Sequence, residues 1–190
     1  MHADLDRILV PGRDIEAKVA ELGWRISRDY AGKRLLTVGI LKGSTIFMAD
    51  LVRAVSIPVS FDFMAVASYG LSPSSSGVVR ILKDLDESIE GQDVLLIEDI
   101  VDTGLTLNYL LETLRTRSPA SLRVCVLFDK PDRRRAEVPV DYLGFSIPDE
   151  FVVGYGLDYA GLYRNLPDVW VLKPEVYGKK KLEAGSQKSE

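Results

Sequence analysis

The stretch VLLIEDIVDTGLTL, residues 94–107, contains the residue types of this chain that are best suited to chemistry. Four apolar residues lead directly into two adjacent carboxylates, Glu98 and Asp99, and a third acid, Asp102, follows. The apolar run predicts a buried strand, Val94 to Ile97, that ends at the first two acids. Ligands of open parallel sheets bind beyond the carboxyl ends of the strands. Acids at that place predict a site for hydroxyl groups or for a hydrated Mg²⁺ ion.

The residues after these acids predict the start of a helix. Thr103 and Thr106 offer hydroxyl groups, Gly104 lets the backbone come close to a ligand, and an apolar, helical pattern follows. The free N–H groups and the positive dipole end of a helix N-terminus favour an anion such as phosphate. Carboxylates beside phosphate-binding donors together favour a sugar phosphate as the ligand.

A structural alternative needs no ligand. In it, Asp102 and Thr103 only cap the helix, while Glu98 and Asp99 are solvated at the surface. Two adjacent acids directly at the end of a buried strand favour the binding site over this alternative.

Alternating helices and strands must position these residues. Hydrophobic spacing predicts helices at Asp14–Tyr30, Thr45–Ala54 and Leu105–Thr116. Apolar runs rich in β-forming residues predict strands at Leu35–Leu41, Val59–Ser68, Val78–Leu85, Val94–Ile97, Leu122–Phe128 and Val140–Phe145. The serine-rich segment from Ser68 to Gly77 predicts a mobile loop. The order of elements predicts an α/β domain around a mostly parallel sheet.

Composition restricts the classes of function. The chain has 190 residues, which suits one domain, and its formal net charge of −4 argues against general nucleic-acid binding. The single histidine, His2, argues against Ser-His-Asp or Cys-His catalysis and against a histidine-rich metal site. The single cysteine, Cys125, allows no intrachain disulfide and fits a core position in a cytoplasmic protein. The sequence predicts neither a signal peptide nor a membrane span.

The end of the chain differs in composition from the rest. Residues 178–190 are charged and have few apolar groups to bury, so we expect a disordered tail. No linker divides the preceding residues, which predicts a single domain at residues 1–177.

Several motifs, taken in order, are similar to those of one enzyme family. VLLIEDIVDTGLTL, residues 94–107, resembles the phosphoribosyl-diphosphate (PRPP) motif of the type I phosphoribosyltransferases, and LKGS, residues 41–44, resembles their pyrophosphate loop. ASYG, residues 67–70, resembles the start of their catalytic flexible loop. VLFDKPDRR, residues 126–134, and FVVGYGLDYAGLYRNLP, residues 151–167, resemble the purine-binding segments of the branch that uses 6-oxopurines.

This resemblance extends from Asp14 to Leu172 and implies a fold and an activity. The implied type I phosphoribosyltransferase fold has a mostly parallel central sheet flanked by helices, with a small hood of N- and C-terminal segments. The implied reaction is purine salvage, in which the phosphoribosyl group of PRPP moves to N9 of hypoxanthine or guanine and gives IMP or GMP and pyrophosphate. The implied cofactor is Mg²⁺, and the implied assembly is a homodimer or homotetramer without nucleic-acid or membrane partners.

By the same resemblance, the acidic turn binds PRPP. Glu98 and Asp99 hold the ribose hydroxyls, and Asp102 is the general base or proton partner at purine N7. The residues expected around the 5′-phosphate are Asp102, Thr103, Gly104, Leu105 and Thr106. Ser68 and Tyr69 belong to a catalytic lid that excludes water from the reactive sugar.

The resemblance also implies a pyrophosphate site and a metal site. Lys42 and Gly43 bind pyrophosphate, and Arg164 supplies a second cation. In this family the peptide before the lysine is often cis, but the sequence does not decide this for Leu41–Lys42. Asp158 is the expected direct Mg²⁺ ligand, completed by substrate oxygens and water. The carboxylates assigned to the metal site are Glu98, Asp99 and Asp158.

Four residues are expected at the purine. Lys130 donates to the 6-oxo group, Phe151 stacks on the ring, the Val152 backbone contacts the edge near C2, and Asp158 lies beside them. Each of the side chains has an ordinary alternative: Lys130 as a solvated lysine at a strand end, Phe151 as a core aromatic residue, and Asp158 as the first acid of a helix. For Tyr69 the ordinary alternative is a loop aromatic residue without a catalytic role. The cluster Arg133-Arg134-Arg135 is expected to be a solvated turn.

Other functions stay open at this point. Lys130, Phe151 and Asp158 in family order disfavour the enzymes that use uracil, orotate or adenine, but xanthine also carries a 6-oxo group. A non-catalytic regulator that binds PRPP is the second alternative, and the catalytic loop and Asp102 argue against it. A dinucleotide-binding oxidoreductase would need a Gly-x-Gly-x-x-Gly motif after a strand, which the sequence lacks.

Overall fold

The computed structural model describes residues 3–68 and 79–178. Within them, helices and strands alternate along most of the chain, as the sequence predicts. In chain order they are β1 (Leu5–Val10), α1 (Gly12–Asp29), β2 (Leu35–Leu41), α2 (Thr45–Ala54), β3 (Val59–Ser68), β4 (Val79–Lys83), β5 (Asp93–Val101), α3 (Leu105–Arg115), β6 (Ser121–Asp129), β7 (Tyr142–Ser146), β8 (Val152–Val153) and β9 (Val169–Leu172). A 3₁₀ turn, Pro131–Arg133, follows β6.

Six strands form a large sheet in the order β4-β3-β2-β5-β6-β7. Neighbouring strands are parallel except β3 and β4, which are antiparallel. Because parallel strands end at the same edge of a sheet, the loops after Leu41, Val101 and Asp129 lie at one edge. The structure therefore confirms the predicted α/β fold with a mostly parallel sheet flanked by helices.

The central strand β5 is buried on both faces. Leu95 and Ile97 belong to a core cluster that includes residues of α1 and α2, whereas Val94 and Leu96 belong to a cluster that includes residues of α3. All four side chains are fully buried. Successive side chains of a strand point to opposite faces, so an unbroken apolar run is what a strand between two helical layers requires.

Strand β5 is longer than the sequence pattern predicts. Its pairing with β6 continues beyond Ile97 and includes Glu98 opposite Val126 and Val101 opposite Asp129. Its pairing with β2 stops at Ile97, opposite Gly39. The prediction that the strand ends at the acids was therefore wrong. Strand β6 still pairs with the backbone of the acids, whereas β2 no longer does.

A second, smaller sheet joins the two ends of the described chain. Its order is β1-β9-β8, and its pairs are antiparallel. Leu5 near the N-terminus lies opposite Leu172 near the C-terminus. This sheet is the hood of N- and C-terminal segments that the resemblance implies, although its three strands are too short or too irregular in register to be predicted one by one.

Other sequence predictions concern single features of the fold. Cys125 lies buried in β6, as expected, and burial raises the pKa of its thiol. In the described ranges, no helix combines the length and the apolar character needed to cross a membrane. The predicted mobile loop falls almost entirely on residues 69–78, and the predicted tail on residues 178–190; of these, 69–78 and 179–190 lie outside the described residues.

Candidate active site

The adjacent carboxylates of β5 are half-buried. Glu98 Oε2 is inaccessible to solvent and has no hydrogen-bond partner in the part of the chain that the structure describes. Burial, together with the charge of Asp99, raises the pKa of Glu98 well above its ordinary value. Burial also raises the pKa of Asp99 to about 6, although backbone N–H groups oppose this shift. A buried carboxylate oxygen without a partner is unfavourable, so Glu98 is suited to a ligand that donates a hydrogen bond, and the solvated-acid alternative is wrong for this residue.

The loop after β2 touches this pair of acids. A Cβ atom on Gly43 would lie only 1.7 Å from Asp99 Oδ2, so a residue without a side chain is required there. The peptide between Leu41 and Lys42 is cis, a point that the sequence left undecided. The Lys42 side chain is exposed, while its carbonyl oxygen accepts a hydrogen bond of 2.7 Å from Thr45 Oγ1. The loop therefore packs its backbone against Asp99 and carries an exposed lysine next to that contact.

The segment after β8 reaches the same place. A Cβ atom on Gly156 would lie 2.2 Å from the Gly43 carbonyl oxygen, which puts these two backbones in contact. Arg164 Nη1 donates to the Gly156 carbonyl at 2.5 Å, and Arg164 Nη2 lies 2.6 Å from Asp158 Oδ1. The charges of Arg164 and Asp158 both act on the pKa of Asp99. The structure thus brings together the residues predicted for pyrophosphate, Lys42, Gly43 and Arg164.

Asp158 is not the first acid of a helix. It lies in a turn, where its Oδ2 accepts a hydrogen bond of 2.7 Å from the Gly161 N–H and its Oδ1 contacts Arg164. The helix-start alternative for Asp158 is therefore wrong, because the chain turns back on itself here instead of forming a helix.

The predicted metal carboxylates, Glu98, Asp99 and Asp158, do not form a complete site by themselves. In residues 3–68 and 79–178, no cluster of three or more His, Cys, Asp or Glu residues is arranged to hold a metal ion. The donor set nevertheless fits Mg²⁺, because carboxylate oxygens are hard ligands and this ion keeps several waters or substrate oxygens. The unpartnered Glu98 Oε2 fits a metal-bound water as well as a sugar hydroxyl.

The start of α3 is open to an anion. Its N-cap is Gly104, at φ +79°, which has no side chain to cap the helix. The Leu105 N–H donates a long hydrogen bond of 3.5 Å to Thr103 Oγ1. The Thr103 carbonyl accepts hydrogen bonds of 2.9 and 3.1 Å from the N–H groups of Arg135 and Ala136, which fixes the turn. The predicted phosphate residues occupy this turn and the first turn of α3: Asp102, Thr103, Gly104, Leu105 and Thr106. Asp102 does not cap the helix in the described part of the chain, where its carboxylate accepts from Arg133, whereas Thr103 makes one long capping bond.

Lys130 is a buried lysine with an exposure of 8%. Its Nζ donates to the Glu150 carbonyl at 2.6 Å and lies 4.0 Å from Asp149 Oδ1. The backbone N–H of Lys130 donates to the Val101 carbonyl at 3.0 Å, which ties the end of β6 to the end of β5. Burial lowers the pKa of the ammonium group, while Asp102 and Asp149 oppose that shift. The solvated-lysine alternative is wrong.

Phe151 presents an aromatic ring with an exposure of 37%. Tyr177 stacks on it at 5.1 Å between ring centroids with 22° between planes, and Tyr159 meets it edge-on at 5.5 Å. The core-aromatic alternative is therefore wrong for Phe151, whereas the adjacent Val152 is buried in β8, opposite Val171. Tyr177 was not predicted, because nothing in the sequence near it links it to Phe151.

The arginines after Lys130 are solvated in part, as expected, because Arg133 and Arg135 are exposed. Two of them also bind acids: Arg133 Nε lies 2.8 Å from Asp102 Oδ1, and Arg134 Nε lies 2.9 Å from Asp129 Oδ1. These ion pairs were not predicted, because the acids are brought to the arginines by neighbouring strand ends. The signal that could have found Arg133 is its place just after a predicted parallel strand, at the edge that also holds Asp102.

The predicted catalytic lid is described only at its beginning. Ser68 is the last residue of β3, while Tyr69 lies outside the described residues. The roles of both residues stay predictions.

The contact between Gly43 and Asp99 gives a testable expectation for stability. We expect Gly43→Ala to lower the free energy of unfolding by about 1–3 kcal/mol, because the added methyl group forces backbone or a buried carboxylate to move. Urea unfolding measures this change. The matched control is Gly178→Ala, since a Cβ there meets no atom within 4 Å. Equal unfolding curves for the two variants would show that the 42–44 loop can shift without cost.

Comparisons with known proteins agree with this arrangement. The family model for a phosphoribosyl transferase domain matches residues 8–160. The chain is 54% identical over 180 residues to the hypoxanthine-guanine phosphoribosyltransferase of Mycobacterium avium, covering 92% of this chain and 89% of that protein. It is 50% identical over 177 residues to the protein of the same name from Bacillus subtilis, covering 93% and 98%. A crystal structure of a hypoxanthine phosphoribosyltransferase from Staphylococcus aureus superposes with a TM-score of 0.89 at 52% identity, covering 93% of this chain and 96% of that one. With carboxylates, an open helix start and a cationic loop at one sheet edge, and with relatives this similar over nearly its whole length, the chain belongs to the phosphoribosyltransferase family.

Proposed function

We propose that this protein is a purine-salvage enzyme that transfers the phosphoribosyl group of PRPP to N9 of hypoxanthine or guanine. The observation that carries the proposal is the buried Lys130 ammonium at the same sheet edge as Glu98, whose Oε2 has no hydrogen-bond partner among the described residues. The first suits a 6-oxo acceptor, and the second suits the hydroxyl groups of a sugar. Relatives named hypoxanthine-guanine phosphoribosyltransferase, at about half identity over most of the chain, support the same activity.

In this proposal, PRPP lies along the carboxyl edge of the large sheet. Its 5′-phosphate accepts hydrogen bonds from the N–H groups and hydroxyls of residues 103–106, at the start of α3. Its ribose hydroxyls donate to Glu98 and Asp99, which gives the orphaned Glu98 Oε2 a partner. Its pyrophosphate group lies against Lys42, the Gly43 N–H and Arg164. Arg164 is held in place for this by Asp158 and the Gly156 carbonyl.

The proposed chemical step exchanges one bond at C1′ of the ribose for another. The C1′–O bond to pyrophosphate breaks as the C1′–N9 bond to the purine forms, and positive charge develops on the sugar ring. The neighbouring carboxylates Glu98 and Asp99 stabilise that charge. The proton that the purine loses passes from N7 to the Asp102 carboxylate. Lys42 and Arg164 stabilise the charge on the departing pyrophosphate.

The purine is oriented by groups at the ends of β6 and β8. Lys130 donates to O6, Phe151 stacks on the ring, and the Val152 backbone contacts the edge near C2. Lys130 Nζ also donates to the Glu150 carbonyl, and because an ammonium has three donors it can bond O6 at the same time. Ser68 and Tyr69 close over the sugar and keep water out.

We also place the enzyme in the cytoplasm, as one catalytic domain of residues 1–177 that assembles into a homodimer or homotetramer.

The test of the proposed function is a substrate comparison. Purified protein is given PRPP, Mg²⁺ and one of hypoxanthine, guanine, xanthine or adenine, and nucleotide formation is followed by absorbance. We expect turnover with hypoxanthine, guanine or both, and almost none with adenine. Turnover with xanthine alone would instead identify a xanthine enzyme. PRPP binding without turnover on any base would identify a regulator.

Activity is expected to require a divalent cation. PRPP is a polyanion, the chain has a formal net charge of −4, and Glu98, Asp99 and Asp158 would repel the substrate without a cation between them. Mg²⁺ held by these carboxylates, by substrate oxygens and by water would neutralise that charge. We therefore expect EDTA treatment to abolish turnover and excess Mg²⁺ to restore it. Undiminished turnover after thorough removal of divalent ions would contradict this requirement.

A further inference from the structure

Arg133 binds the carboxylate of Asp102 through two of its nitrogens. Arg133 Nε donates to Asp102 Oδ1 at 2.8 Å, and Arg133 Nη2 donates to Asp102 Oδ2 at 3.4 Å. On its other side, Arg133 Nη1 lies 3.6 Å from Asp149 Oδ2. The guanidinium group therefore bridges two acids on different loops.

The backbone of Arg133 is itself held in place. The residue closes the 3₁₀ turn Pro131–Arg133, and its N–H donates to the Lys130 carbonyl at 3.1 Å. Lys130 is in turn tied to Val101 at the end of β5. One short turn after β6 thus carries both the buried Lys130 and the arginine that binds Asp102.

Asp102 needs an orienting group. Its side chain is 44% exposed, and within residues 3–68 and 79–178 its side-chain hydrogen bonds come from Arg133. Contact of the guanidinium with both oxygens fixes the plane of the carboxylate. Each oxygen keeps a further lone pair, so Asp102 can still accept a proton from a purine. Bases in active sites are commonly oriented in this way by a third group.

We infer that Arg133 is a positioning residue that orients the Asp102 carboxylate toward N7 of the purine. This inference rests on the proposed function, in which Asp102 is the proton acceptor. The turn 130–133 then positions two groups along one edge of the base. Lys130 itself contacts O6, and Arg133 holds the Asp102 carboxylate that contacts N7. Asp149 holds the far side of the guanidinium and limits its rotation.

A purely structural ion pair would behave differently. Arg133 and Asp102 are both nearly half exposed, and pairs of that kind add little to stability. Loss of Arg133 should therefore leave folding and PRPP binding intact and change the chemical step. Its effect should also depend on Asp102 being present, because residues that act through one another are not additive.

The experiment is a double-variant cycle on the full chain with PRPP, Mg²⁺ and hypoxanthine. We expect Arg133→Met to lower kcat by about 10- to 100-fold, the scale of a misplaced catalytic group, with the Kd for PRPP changed less than about twofold. Arg133→Lys should recover part of the loss, since it keeps the charge without the planar fork. In an Asp102→Asn background, adding Arg133→Met should cost less than about threefold more.

The matched control is Arg135→Met, an exposed arginine two residues further along. Its kcat should stay within about twofold of the wild type.

Full additivity of Arg133→Met and Asp102→Asn would overturn the inference, as would an unchanged kcat in Arg133→Met or a loss confined to PRPP affinity. If Arg133→Met lowers the Tm, Arg133→Gln replaces it in the same cycle. A wild type that is inactive on every purine would overturn the proposed function and this inference together, whereas an active wild type with an indifferent Arg133 overturns the inference alone.

Discussion

Asp102→Asn is expected to lower kcat by about 10²- to 10⁴-fold while PRPP binding stays nearly unchanged, because the change removes a proton acceptor and keeps the shape of the side chain. Asparagine still offers one oxygen to Arg133 Nε, which in the wild type donates to Asp102 Oδ1 at 2.8 Å. The fold of the turn is set mainly by backbone bonds from Arg135 and Ala136 to the Thr103 carbonyl, which the substitution does not touch. Steady-state kinetics with hypoxanthine, together with calorimetric PRPP titration, separates the two effects.

A nearby acid supplies the control for this substitution. Asp132 lies exposed in the 3₁₀ turn that also carries Arg133, and Asp132→Asn removes the same charge next to the residue that binds Asp102. We expect its kcat to stay within about twofold of the wild type. A fall of equal size in both variants would indicate a general field effect, and a kcat for Asp102→Asn within about threefold of the wild type would remove Asp102 from proton transfer.

Regular patterns in the sequence predicted the elements that form the large sheet. The predicted bounds of β2, α2 and β3, Leu35–Leu41, Thr45–Ala54 and Val59–Ser68, agree with the structure to the residue. In these segments, apolar periodicity is strong and Gly or Ser residues mark the ends. The hood was harder, because β8 has two residues and is held by pairing with β9 rather than by a pattern of its own.

The site shows a similar division between local and long-range information. The motifs named the carboxylates, the phosphate turn and Lys130, because each is a short run whose chemistry is readable from neighbouring residues. Burial of Glu98 Oε2 without a partner and the bridge from Arg133 to Asp102 and Asp149 could not be predicted in this way. Both depend on where the pairing between neighbouring strands stops at this edge of the sheet. The pairing of β5 with β2 stops at Ile97, whereas its pairing with β6 continues to Val101.

Lys130→Ala is expected to remove most activity on hypoxanthine and to narrow the gap between hypoxanthine and adenine. Hypoxanthine and guanine present an acceptor at C6, whereas adenine presents an amino group there. A lysine ammonium has three donors and no acceptor, so it bonds the first and opposes the second. Lys130 is 8% exposed, where a mismatched donor finds little water to replace the lost bond. Sites built to hydrogen-bond one polar group reject analogues that lack it by about 10⁴-fold.

Two other variants separate recognition of O6 from general effects. Phe151→Leu should lower kcat/KM for all purines alike, because every purine offers a ring face to the exposed side of Phe151. Lys173→Ala is the matched lysine control, since Lys173 Nζ also donates to a backbone carbonyl, that of Ala3 at 2.7 Å, but in the hood. It should leave the ratio of hypoxanthine to adenine unchanged.

The ratio of kcat/KM for hypoxanthine to that for adenine decides the role of Lys130. Loss of the Lys130 ammonium leaves the Glu150 carbonyl without the hydrogen bond of 2.6 Å that it now accepts, so stability also falls somewhat. Stability affects both bases equally and cancels in the ratio. Loss of the ammonium removes a bond to hypoxanthine and an opposing donor at adenine, so it lowers the ratio. A wild-type ratio in Lys130→Ala would therefore mean that another group discriminates between the bases. The segment from Phe128 to Pro131 would then lie against a different part of the substrate.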